Sequence, residues 1–501
     1  MANTYAFYRI FIPNGIITTF VRHEKEKMFG WRMFLVLFLC ILFVSCRQQN
    51  EEVRILFTGD ILLSRQVKKE YDYRKESPWK SLKPLFHDYD LVIGNLEGAV
   101  GAVSDTTDAA GYPVFAIDDA DISLLSDAGF NVIGIENNHS SDLEIKGRQN
   151  TFNQLLKNGI YPVGFENSPC FISVKDIVFS IITINTIPDR NNSENSVYSL
   201  ALQQKLRLAK KLSNMVIVSI HWGHELHEWS NKTQQETAKW LIAQGADVII
   251  GSHPHVVQNV EMIDGKPVFF SLGNHLFDQK YPVTQKGLMV EMSVKNGKYH
   301  CKGITTRTKP NSFYPETAET VSYDFPDFPY NRKLLQIKKY SLLPVPVFGQ
   351  NKSQIVLQAY YRNELQWRSH PLSLVDIAVA ELDGKEESLF ALQNYYSPID
   401  KSVDIRPYVY GVDSHGIYAK WRGSALAYPL LDAQISPDNS QILCALHRGD
   451  SYIALDKMNT QTRIVAYEWN GFGFRGLPDS VACRYCKAIY GEIVTHKNRA
   501  E

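Results

Sequence analysis

The sequence predicts a layered α/β fold for residues 53–307, because apolar runs of strand length alternate there with amphipathic segments of helical spacing. The predicted strands are Arg54–Phe57, Leu91–Gly94, Val132–Ile135, Ile177–Ile184, Met215–Ile220, Asp247–Ile250, Pro267–Ser271 and Gly287–Val294. The predicted helices are Asp118–Ala128, Ile145–Asn158, Leu200–Leu212 and Gln234–Gln244. In folds of this class, ligand sites lie just beyond the carboxyl ends of the strands.

Composition sets the size of the core and narrows the class of partner. The 501 residues are 44% hydrophobic, which is enough for a large core and for two domains. Lys and Arg number 53, as do Asp and Glu, so no excess of positive charge points to nucleic acid as a partner. We expect Cys170, Cys301 and Cys444 to be buried thiols. The C-x-x-C pair Cys483 and Cys486 is expected to form a disulfide or to remain reduced rather than to bind a metal.

Residues 1–46 have the pattern of an export signal. Basic residues between 22 and 32 precede the apolar run 34–44, which is short for a bilayer span and suits a signal peptide. Val44-Ser45-Cys46 resembles the lipobox of bacterial lipoproteins, in which Cys46 would carry the lipid, although Phe43 stands where Leu is usual. Translation could also begin at Met28. We expect a lipid anchor in the bacterial cell envelope, on the periplasmic or the cell-surface face; an uncleaved anchor or a chance cysteine is the alternative.

The carboxy-terminal half is predicted to contain a linker and a second domain. Residues 308–350 form a Pro-rich linker or irregular wrap, with prolines at 310, 315, 326, 329, 344 and 346. Residues 351–490 contain short aromatic runs separated by turn signals, which predict a smaller β-rich accessory domain. Tyr418–Gly423 and Ala466–Gly471 share a W-x-G pattern about one propeller blade apart, but two copies do not establish a repeat.

Five of the apolar runs end in side chains that can bind a metal. His253 and His255 follow Val248–Ile250, and an H-x-H pair on extended backbone directs both imidazoles to one side. The other four runs end at residues of the same kind, namely Asp60, Glu97, Asn138 with His139, and His221. Two divalent ions about 4 Å apart activate water for hydrolysis, and the ligands for them could come from Asp60, Glu97, Asn138, His221, His253 and His255.

Each of these residues also has a purely structural explanation. Asp60 could be a turn residue, Glu97 a solvated loop charge and His221 a core histidine. Asn137-Asn138-His139 could form a turn or cap the helix that follows, and a His-Pro-His loop can arise by chance. The presence of ligand types at five strand ends of one domain favours the metal site over these separate explanations.

Six ordered motifs between Val53 and Thr305 resemble those of the CapA family of capsule and poly-γ-glutamate synthesis proteins, relatives of the calcineurin-like metallophosphatases. The motifs are Gly59-Asp60, Asn95-Leu96-Glu97, 137–142 (Asn-Asn-His-Ser-Ser-Asp), His221-Trp222-Gly223-x-Glu225, 245–255 and 271–279. The resemblance covers half the chain and does not extend to the carboxy-terminal part. It implies a four-layer α/β/β/α metallophosphatase-like sandwich with the metal site between the sheet ends.

The resemblance also implies roles for individual residues. Asp60 and His255 would bind one metal, Glu97 would bridge, and Asn138, His221 and His253 would bind the other metal. His139 would protonate the leaving group, with Glu136 or Asp142 orienting its ring. Residues in the second shell or in contact with substrate would be Asn95, Glu225, Asn274 and Asp278. The two ions would be Mn, Zn, Fe or Mg.

The chain departs from the metallophosphatase pattern at four positions. Leu62 replaces a histidine ligand of the D-x-H motif, Glu97 replaces the bridging aspartate, Ser140 replaces an acid, and His275 stands where the family suggests Phe. The expected function is metal-dependent hydrolysis, of a phosphoester or else of an amide or ester in an anionic surface polymer, with other capsule-synthesis proteins as partners. A non-catalytic scaffold or polymer-binding subunit with a vestigial site is the alternative.

Overall fold

A computed structural model describes residues 10–12, 15–17, 51–102, 107, 111–189, 197–349, 352–397, 401–423, 426, 429–448 and 462–490. Residues 1–51 and 52–501 form two compact units. In the first unit, strands β1 (Ile10–Ile12) and β2 (Gly15–Ile17) pair antiparallel. The predicted leader run 34–44 and Cys46 lie outside the described residues. Within the described ranges, no helix is long and apolar enough to cross a membrane.

The amino-terminal part of the second unit contains every strand and helix predicted for 53–307. The strands are β3 Val53–Ile61, β4 Leu91–Leu96, β5 Ala99–Val100, β6 Ala116–Ile117, β7 Val132–Gly134, β8 Tyr161–Val163, β9 Cys170–Val174, β10 Ile177–Asn185, β11 Met215–His221, β12 Val248–Ser252, β13 Val260–Ile263, β14 Lys266–Phe269, β15 Asn274–Leu276, β16 Lys286–Lys295, β17 Lys298–Thr308, β18 Pro315–Asp324 and β19 Phe328–Pro329. The helices are α1 Arg65–Arg74, α2 Lys83–Phe86, α3 Ser123–Ala128, α4 Glu144–Lys157, α5 Leu200–Leu212 and α6 Lys232–Gln244, with 3₁₀ turns at Asp119–Ile122 and Pro282–Gln285. The sequence did not predict α1.

Most of these strands form two large mixed sheets, whereas β5 and β6 pair only with each other. One has six strands in the order β13-β14-β12-β11-β10-β9. The other has nine strands in the order β18-β17-β16-β3-β4-β7-β8, with β15 beside β3 and β19 beside β17. Strands β10, β11 and β12 run parallel, as do β3, β4 and β7. The register places His221 opposite Ser252 in one sheet and Asp60 opposite Asn95 in the other, so each sheet brings site residues to its carboxyl edge.

The two sheets pack face to face and are covered by helices on their outer faces. Ile55 and Phe57 of β3 face the second sheet and share a buried cluster with Ile217 of β11. The intervening Leu56 packs on the other side, in the cluster that holds α1–α4. Val218 of β11 likewise faces outward, toward α5 and α6. Strands buried on both faces explain the nearly continuous apolar runs in the sequence, and the four-layer α/β/β/α sandwich is confirmed.

The carboxy-terminal part is a stack of three four-stranded antiparallel sheets. Their strands are β20 Gln336–Ile337, β21 Tyr340–Gly349, β22 Lys352–Tyr361 and β23 Glu364–Arg368, then β24 Leu374–Ala380, β25 Ser388–Ser397, β26 Ser402–Val412 and β27 Ile417–Arg422, then β28 Leu430–Ser436, β29 Asn439–Arg448, β30 Thr462–Trp469 and β31 Phe474–Gly476. Helix α7, Asp479–Tyr485, packs against the third sheet. The prediction of a β-rich carboxy-terminal region is confirmed. Trp421 and Trp469 lie on different strands of their sheets, so the W-x-G pattern does not mark a repeat.

The predicted Pro-rich linker, 308–350, is instead mostly strand. Residues 315–324 form β18 and extend the nine-stranded sheet beside β17. Pro344 and Pro346 lie within β21, whose outer neighbour β20 pairs with residues 340 and 341 alone. Proline lacks an N–H and is tolerated at the edge of a sheet, which explains how a Pro-rich segment forms a strand here.

The cysteine predictions are corrected in part. Cys444 of β29 forms a disulfide with Cys486, with their Cα atoms 5.2 Å apart, so the prediction that Cys444 is a thiol was wrong. Cys486 faces the buried cluster beneath α7, whereas Cys483 is exposed and unpaired, so the two cysteines of the C-x-x-C motif do not bond each other. Cys170 and Cys301 are buried thiols, as expected.

His275 lies in the apolar core between the nine-stranded sheet and its helices. Its ring packs among Trp79, Phe86 and Phe130, with centroid distances of 6.0–6.4 Å. Neither ring nitrogen has a hydrogen-bond partner, and burial lowers the pKa of His275 to about 3. The side chain therefore carries a desolvation cost that an apolar residue would not.

We predict that His275→Phe stabilises the protein, and more so in acid. A histidine whose folded pKa is depressed loses stability as the pH falls below its ordinary value of 6.5, because the unfolded chain takes up the proton first. The gain in unfolding free energy should be about 1 kcal/mol at pH 8 and about 3 kcal/mol at pH 5, measured by urea denaturation. The exposed His87→Phe serves as control, and an equal gain at both pH values would contradict the prediction.

Candidate metal centre

The predicted site residues meet where the carboxyl edges of the two sheets face each other. Asp60 lies near the end of β3 and His221 ends β11, while Glu97 follows β4. His253 and His255 follow β12 and are both buried. Parallel strands end at the same edge, so residues far apart in sequence converge here.

Asp60, Glu97 and His255 form a compact group of three ligand atoms. One oxygen or nitrogen from each lies within 4.8 Å of the others. His255 Nδ1 is 3.5 Å from Asp60 Oδ2, and His255 Nε2 is 3.7 Å from Glu97 Oε1. All three side chains are buried, and this spacing leaves room for a cation between them.

Asn138, His221 and His253 form the second group. His221 Nε2 is 2.8 Å from Asn138 Oδ1, and the His221 and His253 ring centroids are 4.8 Å apart. Two ligand atoms about 2.1 Å from one ion and at right angles lie about 3 Å apart, which matches the His221–Asn138 distance. The sequence-predicted partition into two sets of ligands is compatible with these positions.

Asn95 joins the two groups. Its Nδ2 donates to Asp60 Oδ1 at 2.8 Å and lies 3.4 Å from His221 Nδ1. Its Oδ1 accepts from Asn137 Nδ2 at 3.3 Å. Asn95 therefore fixes a carboxylate of one group relative to an imidazole of the other.

Asn274 determines which nitrogen of His255 is available. Asn274 Nδ2 donates to Gln279 Oε1 and to the Thr284 carbonyl, so its Oδ1 is the acceptor that faces His255 Nδ1 at 2.9 Å. His255 Nδ1 must then carry the proton, which leaves Nε2 free to bind a metal beside Glu97.

Glycine permits the close approach of chain segments that builds the site. A Cβ on Gly59 would lie 1.9 Å from the Gly273 carbonyl oxygen, and a Cβ on Gly251 would lie 1.9 Å from that of Phe270. His253 and His255 both have positive φ, 95° and 58°, which is unfavourable for residues with a side chain. The conformation of the His-Pro-His loop is thus held by its surroundings, as strained backbone at functional sites usually is.

Without a cation, burial biases the ionisable groups of this centre toward their neutral forms. Burial raises the pKa of Asp60 to about 7. Burial and then the neighbouring Asp60 raise the pKa of Glu97 well above its ordinary value. Burial also lowers the pKa of His253 to about 4 and that of His255 to about 3. A divalent metal binds neutral imidazoles, and it supplies the positive charge that buried carboxylates lack.

Two buried polar atoms at the centre lack any partner. Glu97 Oε2 and His253 Nδ1 make no hydrogen bond in the structure. Unpartnered buried polar atoms are uncommon, and each calls for an explanation such as an ion. The mixed oxygen and nitrogen donors therefore fit a divalent metal.

His139 lies beside the metal ligands and is oriented by Asp142. Its Nδ1 donates to Asp142 Oδ2 at 2.8 Å, and its Nε2 is 3.9 Å from Glu97 Oε1. The ring stacks on Phe115 with centroids 3.7 Å apart. Glu136, the other acid suggested for the orienting role, does not take it, because it pairs with Arg148 at 2.6 Å and accepts from the Phe165 amide.

Asp278 binds a residue that sequence reasoning missed. Its Oδ2 is 3.1 Å from Arg65 Nε, and the Arg65 guanidinium lies over the Phe115 ring, 5.0 Å from the centroid. Asp278 thus holds the first residue of α1 near His139 rather than facing the metal group. Arg65 belongs to no motif, and the pairing spans the fold, so the sequence carried no signal for it.

A cleft of about 600 Å³ opens beside the metal centre. His253 and Glu225 lie at its junction with the site, and Thr186, Tyr198 and Asn231 are among the residues of its walls. Among its described lining residues none is Lys or Arg. The cleft offers hydroxyl, amide and aromatic groups, so charge for an anionic ligand has to come from the metal centre.

The chain resembles bacterial capsule proteins in sequence. The model of the family "Bacterial capsule synthesis protein PGA_cap" matches residues 54–279. The PGA biosynthesis protein CapA of Bacillus subtilis is 28% identical over 254 residues, which are 48% of this chain and 67% of that protein. The capsule biosynthesis protein CapA of Bacillus anthracis is 26% identical over 273 residues, 50% of this chain and 66% of that one. The matches thus span about two thirds of these relatives.

Solved structures resemble the chain more weakly. A hypothetical protein from Thermus thermophilus aligns with 55% of this chain and 100% of its own, at 16% identity and a TM-score of 0.30. Vps29 from Chaetomium thermophilum aligns with 55% of this chain and 97% of its own, at 12% identity and a TM-score of 0.26. Likeness at this level adds nothing to the layer order and ligand geometry described above.

We predict that Glu97→Gln stabilises the metal-free protein and removes its response to metal. The raised pKa means that ionised Glu97 costs stability as the pH rises, whereas glutamine stays neutral. At pH 8 with chelator, the unfolding free energy should increase, and the gain should vanish below pH 4.5, where both states of the wild type hold the proton. Added Mn²⁺ should raise the melting temperature of the wild type and of the exposed control Glu236→Gln, but not that of Glu97→Gln. A metal response retained by Glu97→Gln would count against Glu97 as a ligand.

Proposed function

We propose that this chain is a metal-dependent hydrolase acting on a capsule polymer or its precursor, and the support is the match of residues 54–279 to the bacterial capsule synthesis family together with the similarity to CapA. The scissile bond is a phosphoester or a related ester or amide of the polymer. Other capsule-synthesis proteins are proposed partners.

The observation that carries this proposal is the buried group of Asp60, Glu97 and His255. Its ligand atoms lie within 4.8 Å of one another, and Glu97 Oε2 has no partner. With Asn138, His221 and His253 alongside, the chain supplies ligands for two divalent ions. When bound, such ions supply Lewis acidity and lower the pKa of a water molecule. A phosphoester would have to be held by these ions, because the cleft beside the centre has no described Lys or Arg to bind an anionic group.

His139 can hold and deliver the proton that a leaving group needs. Because Nδ1 donates to Asp142, any second proton on the ring is at Nε2, on the side of Glu97. Stacking on Phe115 keeps the ring plane fixed while its edge stays partly accessible. The same arrangement supports Asp142 as a positioning residue, since it also accepts from the Phe115 amide at 2.7 Å.

A non-catalytic scaffold that binds polymer is the second candidate. Leu62, which stands where the metallophosphatase pattern has a histidine, is fully buried in the apolar cluster and offers no ligand. A centre with fewer ligands could bind metal more weakly or serve a structural purpose. The activity of a His139 variant separates the two candidates.

We predict that His139→Ala retains its metal but loses most of its turnover. A positioned proton donor contributes about 10²- to 10⁴-fold to rate, so hydrolysis of an alkyl phosphoester should fall by that factor. Hydrolysis of a nitrophenyl ester should fall less, because its leaving group needs no proton. Metal content by mass spectrometry and the melting temperature should stay unchanged, and the exposed His415→Ala should behave as wild type. Loss of metal, or unchanged alkyl phosphoester turnover, would refute the acid role; metal without any turnover in the wild type would favour the scaffold.

We propose further that Cys46 anchors the protein in the bacterial envelope through a lipid. The support is the sequence pattern at 34–46, since these residues lie outside the described part of the chain. Cells given a radiolabelled lipid precursor should label the wild-type protein and not Cys46→Ser. Labelling that persists in Cys46→Ser would show that another residue carries the lipid, and an unlabelled wild-type protein would show that no such anchor is attached.

A further inference from the structure

Glu225 lies at the metal centre although its side chain is exposed. One of its carboxylate oxygens lies within 4.8 Å of ligand nitrogens of both His253 and His255. His255 is thereby shared between this group and the group formed with Asp60 and Glu97. We infer that Glu225 is a metal ligand, supplied by the loop after β11, and that it links the two halves of the centre; this inference rests on the metal site of the proposed function.

The backbone around Glu225 is fixed against the His-Pro-His loop on both sides. Before it, the Trp222 amide donates to the Ser252 carbonyl at 3.1 Å; after it, the Leu226 amide donates to the Pro254 carbonyl at 2.8 Å. Leu226 has a positive φ of 62°, which the second of these bonds helps to hold. The carboxylate is therefore carried by a loop that is fastened to the residues it would share a metal with.

The far end of the loop is fastened as well. Gln258 Nε2 donates to the carbonyls of His227 and Trp229, at 2.8 and 3.2 Å. The His227 ring lies with Nδ1 2.8 Å from the carbonyl of Glu225, which adds a further contact within the loop. A side chain that is exposed but mounted on a fixed backbone can approach a metal at small cost in conformational entropy.

Nearby groups leave a place for one more anionic ligand. Asp60, Glu97 and His255 provide three donors, whereas divalent metals in such centres take four to six. Leu62 contributes none because it is buried in the apolar cluster. Among described residues near the centre, the cation Arg65 is held by Asp278 at 3.1 Å. Arg65 is therefore not available to pair with the Glu225 carboxylate beside His255. A bound metal ion would supply the positive charge that this carboxylate lacks.

The inference predicts that Glu225→Gln weakens metal binding while leaving the fold intact. Calorimetry should show that the affinity for one of the Mn²⁺ ions falls by at least about 10-fold. Loss of a residue that only holds a ligand in place already costs about 10- to 100-fold in metal affinity. Glu228→Gln, three positions along the same exposed loop, removes the same charge and should bind Mn²⁺ as the wild type does. Melting temperatures of the three metal-free proteins should agree, because Glu225 is exposed.

A second measurement separates a ligand from a remote charge. With Co²⁺ bound, loss of a ligand should change the visible absorption of the metal, and the loss of affinity should persist at high salt. An unchanged Co²⁺ spectrum, with a loss of affinity that salt removes, would overturn the inference in favour of screened attraction. If Glu225→Gln binds Mn²⁺ as tightly as the wild type does, Glu225 is not a ligand, but the metal centre itself is unaffected. If the wild type itself binds neither Mn²⁺ nor Co²⁺, the metal centre of the proposed function falls together with the inference.

Discussion

Two carboxylates buried side by side, Asp60 and Glu97, set the requirement that the surrounding structure meets. Both are almost fully removed from water, and burial raises the pKa of each. Ionised, they repel each other and lack the solvation that would compensate. The neighbouring histidines have lowered pKa values and so cannot serve as counter-charges at neutral pH. A divalent cation removes both penalties at once, which is why the centre makes chemical sense as a metal site.

The fold brings these groups together through strand ends, close backbone contacts and unfavourable backbone conformations. Parallel strands of two sheets end at one edge, glycines at 59 and 251 let backbones approach closely, and two histidines adopt positive φ. Amides rather than charges then set the orientation: Asn95 spans the two ligand groups and Asn274 fixes the proton on His255. Neutral orienting groups add no further repulsion to a centre that already holds two carboxylates. The described residues that line the neighbouring cleft are also mainly uncharged.

The sequence predicted the layered core and the convergence of the candidate site residues because both follow from local patterns. Apolar runs with polar ends locate strands, and the ends of parallel strands converge in any such fold. Pairings across the fold were beyond reach: Arg65 with Asp278, Cys444 with Cys486, and Glu136 with Arg148 depend on which surfaces meet. Prolines in 308–350 indicated irregular chain, yet β21 tolerates them because most of its outer edge is unpaired. Local composition cannot show that a strand will lie at an edge.

The most direct test is anomalous diffraction from crystals of the protein grown with Mn²⁺, recorded at the manganese absorption edge. We expect an anomalous peak about 2.0–2.4 Å from oxygen or nitrogen atoms of Asp60, Glu97 and His255. A second peak should lie within reach of Asn138, His221 and His253. The crystals should diffract well and be grown in saturating Mn²⁺. If no anomalous peak then lies between Asp60, Glu97 and His255, the group is not a metal site.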